Sequence, residues 1–248
     1  MSMYVENRHL AYREKLGTNC IENGWEEIAK SLDENGYAVI KNILSMDSCD
    51  NLTRNYAVES LYRATIHMAR YSFGKGEYKY FSYPLPADIQ TLRVTLYTKL
   101  AVIANSWNER LNIGFRFPDT HESYLQQCHG QGQKRPTPLI LKYGEGDYNC
   151  LHQDLYGALS FPIQLAILLD EPGLDFQGGE FMLTEQRPRM QTKATVVPLQ
   201  KGDAVIFPVN ERPVRGGRGE YRVKMRHGVS KIHSGNRHTL GVIFHDAT

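Results

Sequence analysis

The sequence has little of what would tie a protein to a membrane or to an oxidising compartment. Its longest wholly apolar runs, such as Leu165 to Leu169, fall far short of the roughly 20 residues that cross a bilayer, and the N-terminus, MSMYVENRHL, lacks the apolar stretch of a secretory signal. Four cysteines, at 20, 49, 128 and 150, form no C-x-x-C pair and no ligand-like spacing. Reduced thiols and a cytoplasmic location are therefore expected, with no membrane association. Cys150, two residues before His152, is a candidate to line a site. There is no internal repeat or low-complexity run, and nothing points to an obligate protein partner. The formal net charge of +2 over 248 residues argues against strong non-specific binding to duplex DNA, whose affinity comes from many phosphate contacts.

What is there suffices for a sizeable core: 41% of the residues are hydrophobic, and one compact domain with an N-terminal elaboration is the simplest organisation. Residues 1–137 read as helical support adding one or two strands to a sheet. Helices are expected over 3–16 and over 25–35, the second stopped at Gly36. YAVIKNIL alternates into a strand, 47–70 is again helix-like, and 87–111 carries Leu92, Leu96, Leu100, Ile103, Trp107 and Leu111 at three-and-four spacing, one apolar stripe. Between these helices, ARYSFGKGEYKYFSYPLP interleaves aromatic and basic residues around two glycines. Such a segment can stack bases and hold phosphates, or simply be an ordered loop with its tyrosines on the core. Residues 112–137 read as a connection.

From 138 to 248 the pattern turns to short strands, with candidates at 138–143, 149–154, 163–170, 179–184, 194–199, 203–208, 223–230 and 237–245. Eight is the number a double-stranded β-helix, or jelly roll, requires. The expected class is α+β, a jelly-roll core with supporting N-terminal helices.

Within that core, His152 and Asp154 lie two residues apart on an extended segment and so point the same way. A third ligand from a distant strand would complete two histidines and one carboxylate, the set that holds non-haem Fe(II) with positions left open. His227 can supply it; His233, His238 and His245 are close in sequence. With consecutive strands antiparallel, connections 155–162, 185–193 and 209–222 should crowd that end. Residues 187–237 hold twelve Lys and Arg against three Asp and Glu. A basic mouth built from Arg187, Arg189, Arg212, Arg215 and Arg218 would suit an anionic substrate.

The context of these residues resembles the Fe(II)/2-oxoglutarate-dependent dioxygenases, the prolyl-hydroxylase-like branch in particular. Tyr143 and Gly146 precede His152 and Asp154, and His227, Val229, Gly235, Arg237 and the strand LGVIF follow in the family's order, over roughly 138–246. The whole chain is most similar to a bacterial family grouped on sequence with nucleic-acid-modifying oxygenases. The resemblance implies His152, Asp154 and His227 as metal ligands carrying the catalysis, and Fe(II), 2-oxoglutarate and O2 as cofactor and cosubstrates. It implies Arg237 gripping the distal carboxylate of 2-oxoglutarate, with Thr239 and Tyr143 assisting. The implied reaction hydroxylates or oxidatively demethylates a substrate and releases succinate and CO2. Gln153, Asn149 and Glu180 join the mouth arginines as candidates to orient that substrate, a nucleic-acid base or nucleotide. The alternatives are a free amino acid, peptide or natural product, or, from another class, a cupin-like or non-catalytic metal-binding jelly roll.

Overall fold

The computed structural model describes residues 24–155, 157–217 and 219–248; the helix expected over 3–16 lies outside them. Helix α1 (Trp25–Asn35) buries Ile28 and Leu32 and stops at Gly36, which takes φ 77° and donates its N–H to Leu32 O. Strand β1 (Ala38–Ile40) follows, then α2 (Met46–Arg54), opened by the Ser45 side chain accepting from the Ser48 amide. The helix expected over 47–70 ends there. Two short 3-10 turns lead into β2 (Tyr62–His67), so a quarter of that stretch is sheet. Its β-branched and aromatic residues, Tyr62, Thr65 and Ile66, prefer a pleated surface.

The aromatic and basic segment, residues 69–86, is partly strand as well: β3 (Gly74–Lys75) and β4 (Glu77–Phe81). The long helix α3 (Ala87–Arg110) carries the expected stripe, with Leu92, Leu96, Leu100, Ile103 and Trp107 buried. The connection after it holds a further helix, α4 (His121–Gly130), capped by the Thr120 hydroxyl.

Beyond it run β5 (Leu139–Tyr143), β6 (Tyr148–His152), β7 (Ile163–Leu168), β8 (Phe176–Gly178), β9 (Phe181–Gln186), β10 (Lys193–Val197), β11 (Ala204–Pro208), β12 (Glu211–Gly216), β13 (Gly219–Val229), β14 (Ile232–Gly235) and β15 (Arg237–Val242). All eight expected core strands are present, and they sort into two facing antiparallel sheets. One has the order β1-β11-β7-β15-β5-β4-β2; the other has β10-β9-β13-β6-β3, with β12 paired outside that path to β13. The central strands of the two sheets, β11-β7-β15-β5 and β10-β9-β13-β6, form the jelly roll. The elements before 138 extend its edges.

The first sheet is apolar on both sides. Ile140, Ile167, Leu240 and Val242 pack with the α3 stripe, whereas Ala166, Leu168, Val205 and Phe207 face inward to meet Phe181, Leu183 and Val197 of the second sheet. That is why β7 and β15 are buried throughout, as strands covered on both faces must be.

Candidate active site

Between the sheets, toward the β3–β4 edge, lies a cavity of about 310 Å3 whose lining includes Tyr143, His152, Asp154, Gln164, His227 and Thr239. The two histidines come together because β6 and β13 are neighbours, with His152 opposite His227. The register slips between His227 and Val229, and the intervening Gly228 sits tight against β6: a Cβ there would lie 2.7 Å from Asn149 O. Glycine is what allows the two strands this close approach.

Asp154, just past the end of β6, reaches both rings. His152 Nε2 is 3.4 Å from Asp154 Oδ1, and His227 Nε2 is 3.3 Å from Asp154 Oδ2. One donor atom from each of the three lies within 4.8 Å of the others. His152 Nδ1 is 2.7 Å from Cys150 O, so it carries the proton and leaves Nε2 as a lone-pair donor. Burial would push the Asp154 carboxyl up, but hydrogen bonds and charge from His152 and His227 hold it well below the usual carboxylate range. Burial pushes the His227 imidazole down despite Asp154, which favours the neutral ring that ligation needs. For His152 burial acts the same way, yet the Asp154 hydrogen bond and charge outweigh it and its pKa is raised. Two imidazole nitrogens and a carboxylate on one wall of an open cavity suit a divalent non-haem ion such as Fe(II).

Sequence reasoning missed Gln164. From β7, on the facing sheet, its Nε2 donates 2.8 Å to Asp154 Oδ2 and lies 3.3 Å from His227 Nε2. Its only sequence signal is a single polar side chain opening an apolar strand.

Arg237 is buried on β15, opposite Tyr143 on β5. Its guanidinium carbon stands 5.8 Å from the Tyr143 ring centroid and 5.7 Å from that of Phe176, and one guanidinium nitrogen donates to the Thr239 hydroxyl. Nε has no hydrogen-bond partner, and among the described residues no carboxylate pairs with this cation. A buried, unpaired guanidinium is costly unless an anion joins it, and burial accordingly lowers its pKa. Tyr143 OH accepts from Asn149 Nδ2 at 3.2 Å.

The structure brings Asn149 and Gln153 to the cavity wall. The Gln153 amide is also tied to Asn210 Oδ1 at 2.6 Å and Met225 O at 2.8 Å. Glu180 is exposed, bonds Ser230 and is not part of that wall. The basic mouth needs correction. Residues 211–216 are not a loop: β12 forms a hairpin with β13, which carries its arginines away from the cavity. Arg212 is fully buried, paired with Glu185 and donating 2.6 Å to Asp33 O of α1; Arg187 shares the same carboxylate at 2.6 Å. Arg189 and Arg215 are exposed and off the cavity, and Arg218 lies outside the described residues. Cys150 faces outward and contributes only its carbonyl. Of the other nearby histidines, His233 is exposed, His238 is held by Asp170 at 2.8 Å, and His245 is buried, its Nδ1 accepting from the Phe161 amide at 3.1 Å.

Residues 76–247 match a family model, Oxygenase-NA, described as "Oxygenase, catalysing oxidative methylation of damaged DNA". The chain belongs to that family. Proteins similar to it include two from Mycobacterium tuberculosis, the uncharacterized proteins MT2286 (strain CDC 1551 / Oshkosh) and Rv2227 (strain ATCC 25618 / H37Rv), each 47% identical over 167 residues, which is 67% of this chain and 72% of theirs. Among solved structures, a Trichoplax adhaerens prolyl hydroxylase in complex with a hypoxia inducible factor peptide matches with TM-score 0.54 at 13% identity, covering 90% of this chain and 89% of that one. A 2OG-Fe(II) oxygenase family oxidoreductase from Burkholderia pseudomallei matches with TM-score 0.51 at 14% identity, covering 92% and 94%. The fold is thus that of the 2-oxoglutarate and iron oxygenases, and as a member of the Oxygenase-NA family the chain is an oxygenase, an oxidoreductase.

Proposed function

We propose that this protein oxidises a methylated or otherwise modified base of nucleic acid, with His152, Asp154 and His227 holding Fe(II) and Arg237 holding 2-oxoglutarate. The observation that carries the reading is one cavity with a two-histidine, one-carboxylate cluster on its wall and, beside it, a buried cation with no carboxylate partner among the described residues. Arg237 would fork onto the distal carboxylate of 2-oxoglutarate, with the Thr239 and Tyr143 hydroxyls beside it. The iron would let O2 act as the oxidant and 2-oxoglutarate as the co-reductant: one oxygen atom would convert a C–H bond to an alcohol and the other would enter succinate as 2-oxoglutarate loses CO2. On an N-methyl carbon that alcohol is a hemiaminal, which sheds formaldehyde and restores the N–H. The chain's own part is to bind, orient and exclude water. The apolar wall of Leu139, Leu141, Val229 and Phe207 keeps the cavity dry around the reacting carbon.

The choice of a base over an amino acid leans on the description of the family. The donor set, two histidines and an aspartate rather than histidines with a glutamate, favours the oxygenase over the cupin-like alternative. Purified protein with Fe(II), ascorbate and 2-oxoglutarate should release succinate, and methylated oligonucleotides should stimulate that release more than amino acids or proline-rich peptides do. Asp154→Ala should abolish turnover, and Arg237→Met should raise the half-saturating 2-oxoglutarate concentration by about 30-fold or more, as loss of one partner of a buried charge pair does. Stimulation by peptides alone would overturn the choice of substrate.

A further inference from the structure

The cavity is small. About 310 Å3 is the lower end of the range for small-ligand sites, so once 2-oxoglutarate is in place there is room for little more than one planar group. The rest of a polymeric substrate must be held outside. One rim of the cavity is built by residues 68–80: Met68, Phe73, Tyr78 and Tyr80 all line it. This rim is fastened to the metal-bearing strand itself, since β3 pairs with β6, Gly74 opposite Asn149, and the Cys150 amide donates to Phe73 O at 2.8 Å.

On this rim Phe73 is 44% exposed and Tyr71 50% exposed, and their rings stack on one another at 5.8 Å with an interplanar angle of 22°. Two exposed aromatic rings at the rim of a cavity need a reason, because a folded chain usually turns such rings inward. Arg70 lies over the Tyr71 ring at 6.0 Å, Lys75 is exposed two residues beyond Phe73, and neither forms an ion pair among the described residues. Free cations interleaved with exposed, stacked rings match the chemistry of a nucleic-acid single strand: flat faces joined by phosphates. Leu155, 56% exposed and also lining the cavity, extends the apolar lip.

We propose that the Tyr71–Phe73 pair, flanked by Arg70 and Lys75, is a stacking platform for the nucleotide adjoining the one presented to the metal, in a single-stranded nucleic acid. This rests on the proposed function and names the form of its substrate. A duplex cannot use the platform without unstacking, so single strands bind better than duplexes of the same sequence. The test is fluorescence anisotropy of the purified full chain with short labelled DNA and RNA single strands, the matching duplexes and a proline-rich peptide. Tyr71→Ala and Phe73→Ala should each weaken single-strand binding by about fivefold or more, whereas Tyr71→Phe keeps it, and circular dichroism and thermal melting show that each variant is folded. The fluorescence of Phe73→Trp should be quenched when a single strand is added. Preference for DNA or for RNA identifies the sugar the site accepts, and either supports the platform. Binding by the wild type that both alanine variants retain overturns the platform and leaves the proposed function standing. No oligonucleotide binding by the wild type, or tight binding of the peptide alone, overturns both.

Discussion

At the scale of single residues, the hold on the Asp154 carboxylate is divided between the two sheets. Asp154 follows β6 and takes its histidine contacts from β6 and β13, but its Oδ2 is anchored by Gln164 of β7. That anchor leaves Oδ1 directed at His152 and limits the carboxylate to one orientation. Groups that orient a metal ligand typically change metal affinity or activity by about 10–100-fold when removed. Gln164→Leu, close in volume and unable to donate, should therefore weaken binding of Fe(II), or of Mn(II) used as a stable probe, by about tenfold in an equilibrium titration. Gln164→Glu should be worse, because it sets a second carboxylate against Asp154. An unchanged affinity in Gln164→Leu would leave this amide a packing role only.

At the scale of elements, the site depends on two strands coming closer than side chains ordinarily permit. Gly228 occupies the slipped position of β13, where a Cβ would meet Asn149 O at 2.7 Å and Cys150 C at 3.2 Å. Gly228→Ala should push β6 outward, lower stability by about 1–3 kcal/mol as overpacking does, and weaken metal binding more than the small loss in melting temperature would suggest; parallel melting and metal titrations separate the two effects. None of this was readable as spacing. The eight core strands were legible because each alternates or runs apolar between turn residues, and His152, Asp154 and His227 because the flanking Tyr143, Gly146 and Arg237 kept their order. The strand at 62–67 was hidden because it follows a true helix without a glycine or proline break, and β12 because Arg212 and Arg215 look like loop charges until Glu185 is seen to take Arg212 inside. Partners far apart in sequence decide such cases, and a single chain read in order does not display them.

Across the whole molecule, the same logic explains where the charge went and what closes the fold. The basic surplus of 187–237 is partly consumed from outside that stretch, by Glu185 for Arg187 and Arg212 and by Asp50 for Lys201. At the far end of the chain the balance is tighter still. Arg93, buried in the second turn of α3, reaches the segment after β15: it donates to Ile243 O at 2.8 Å and His245 O at 2.9 Å, and pairs with Asp246 Oδ1 at 2.7 Å, both side chains fully buried. Asp246 also takes Tyr83 OH at 2.9 Å and His129 Nε2 at 2.8 Å. One carboxylate thus joins α3, α4 and the turn before α3 to the last residues of the jelly roll. Burial would raise its pKa, but the Arg93 charge and the hydrogen bonds of His129, Arg93 and Tyr83 hold it below the ordinary value. A depressed folded pKa means that the unfolded chain takes up the proton first. The stabilisation is therefore complete above the ordinary aspartate value of about 3.9 and is lost as pH falls below it toward the depressed one. Melting temperature should accordingly be steady in this respect from neutral pH down to about 4 and then drop, whereas Asp246→Asn should start lower and lack this part of the acid limb. Arg93→Met, which leaves the carboxylate without its buried cation, should cost about 3–5 kcal/mol at neutral pH in urea unfolding. A wild type and an Asp246→Asn variant with parallel acid limbs would show that the clamp contributes nothing as a charge and acts through hydrogen bonds alone.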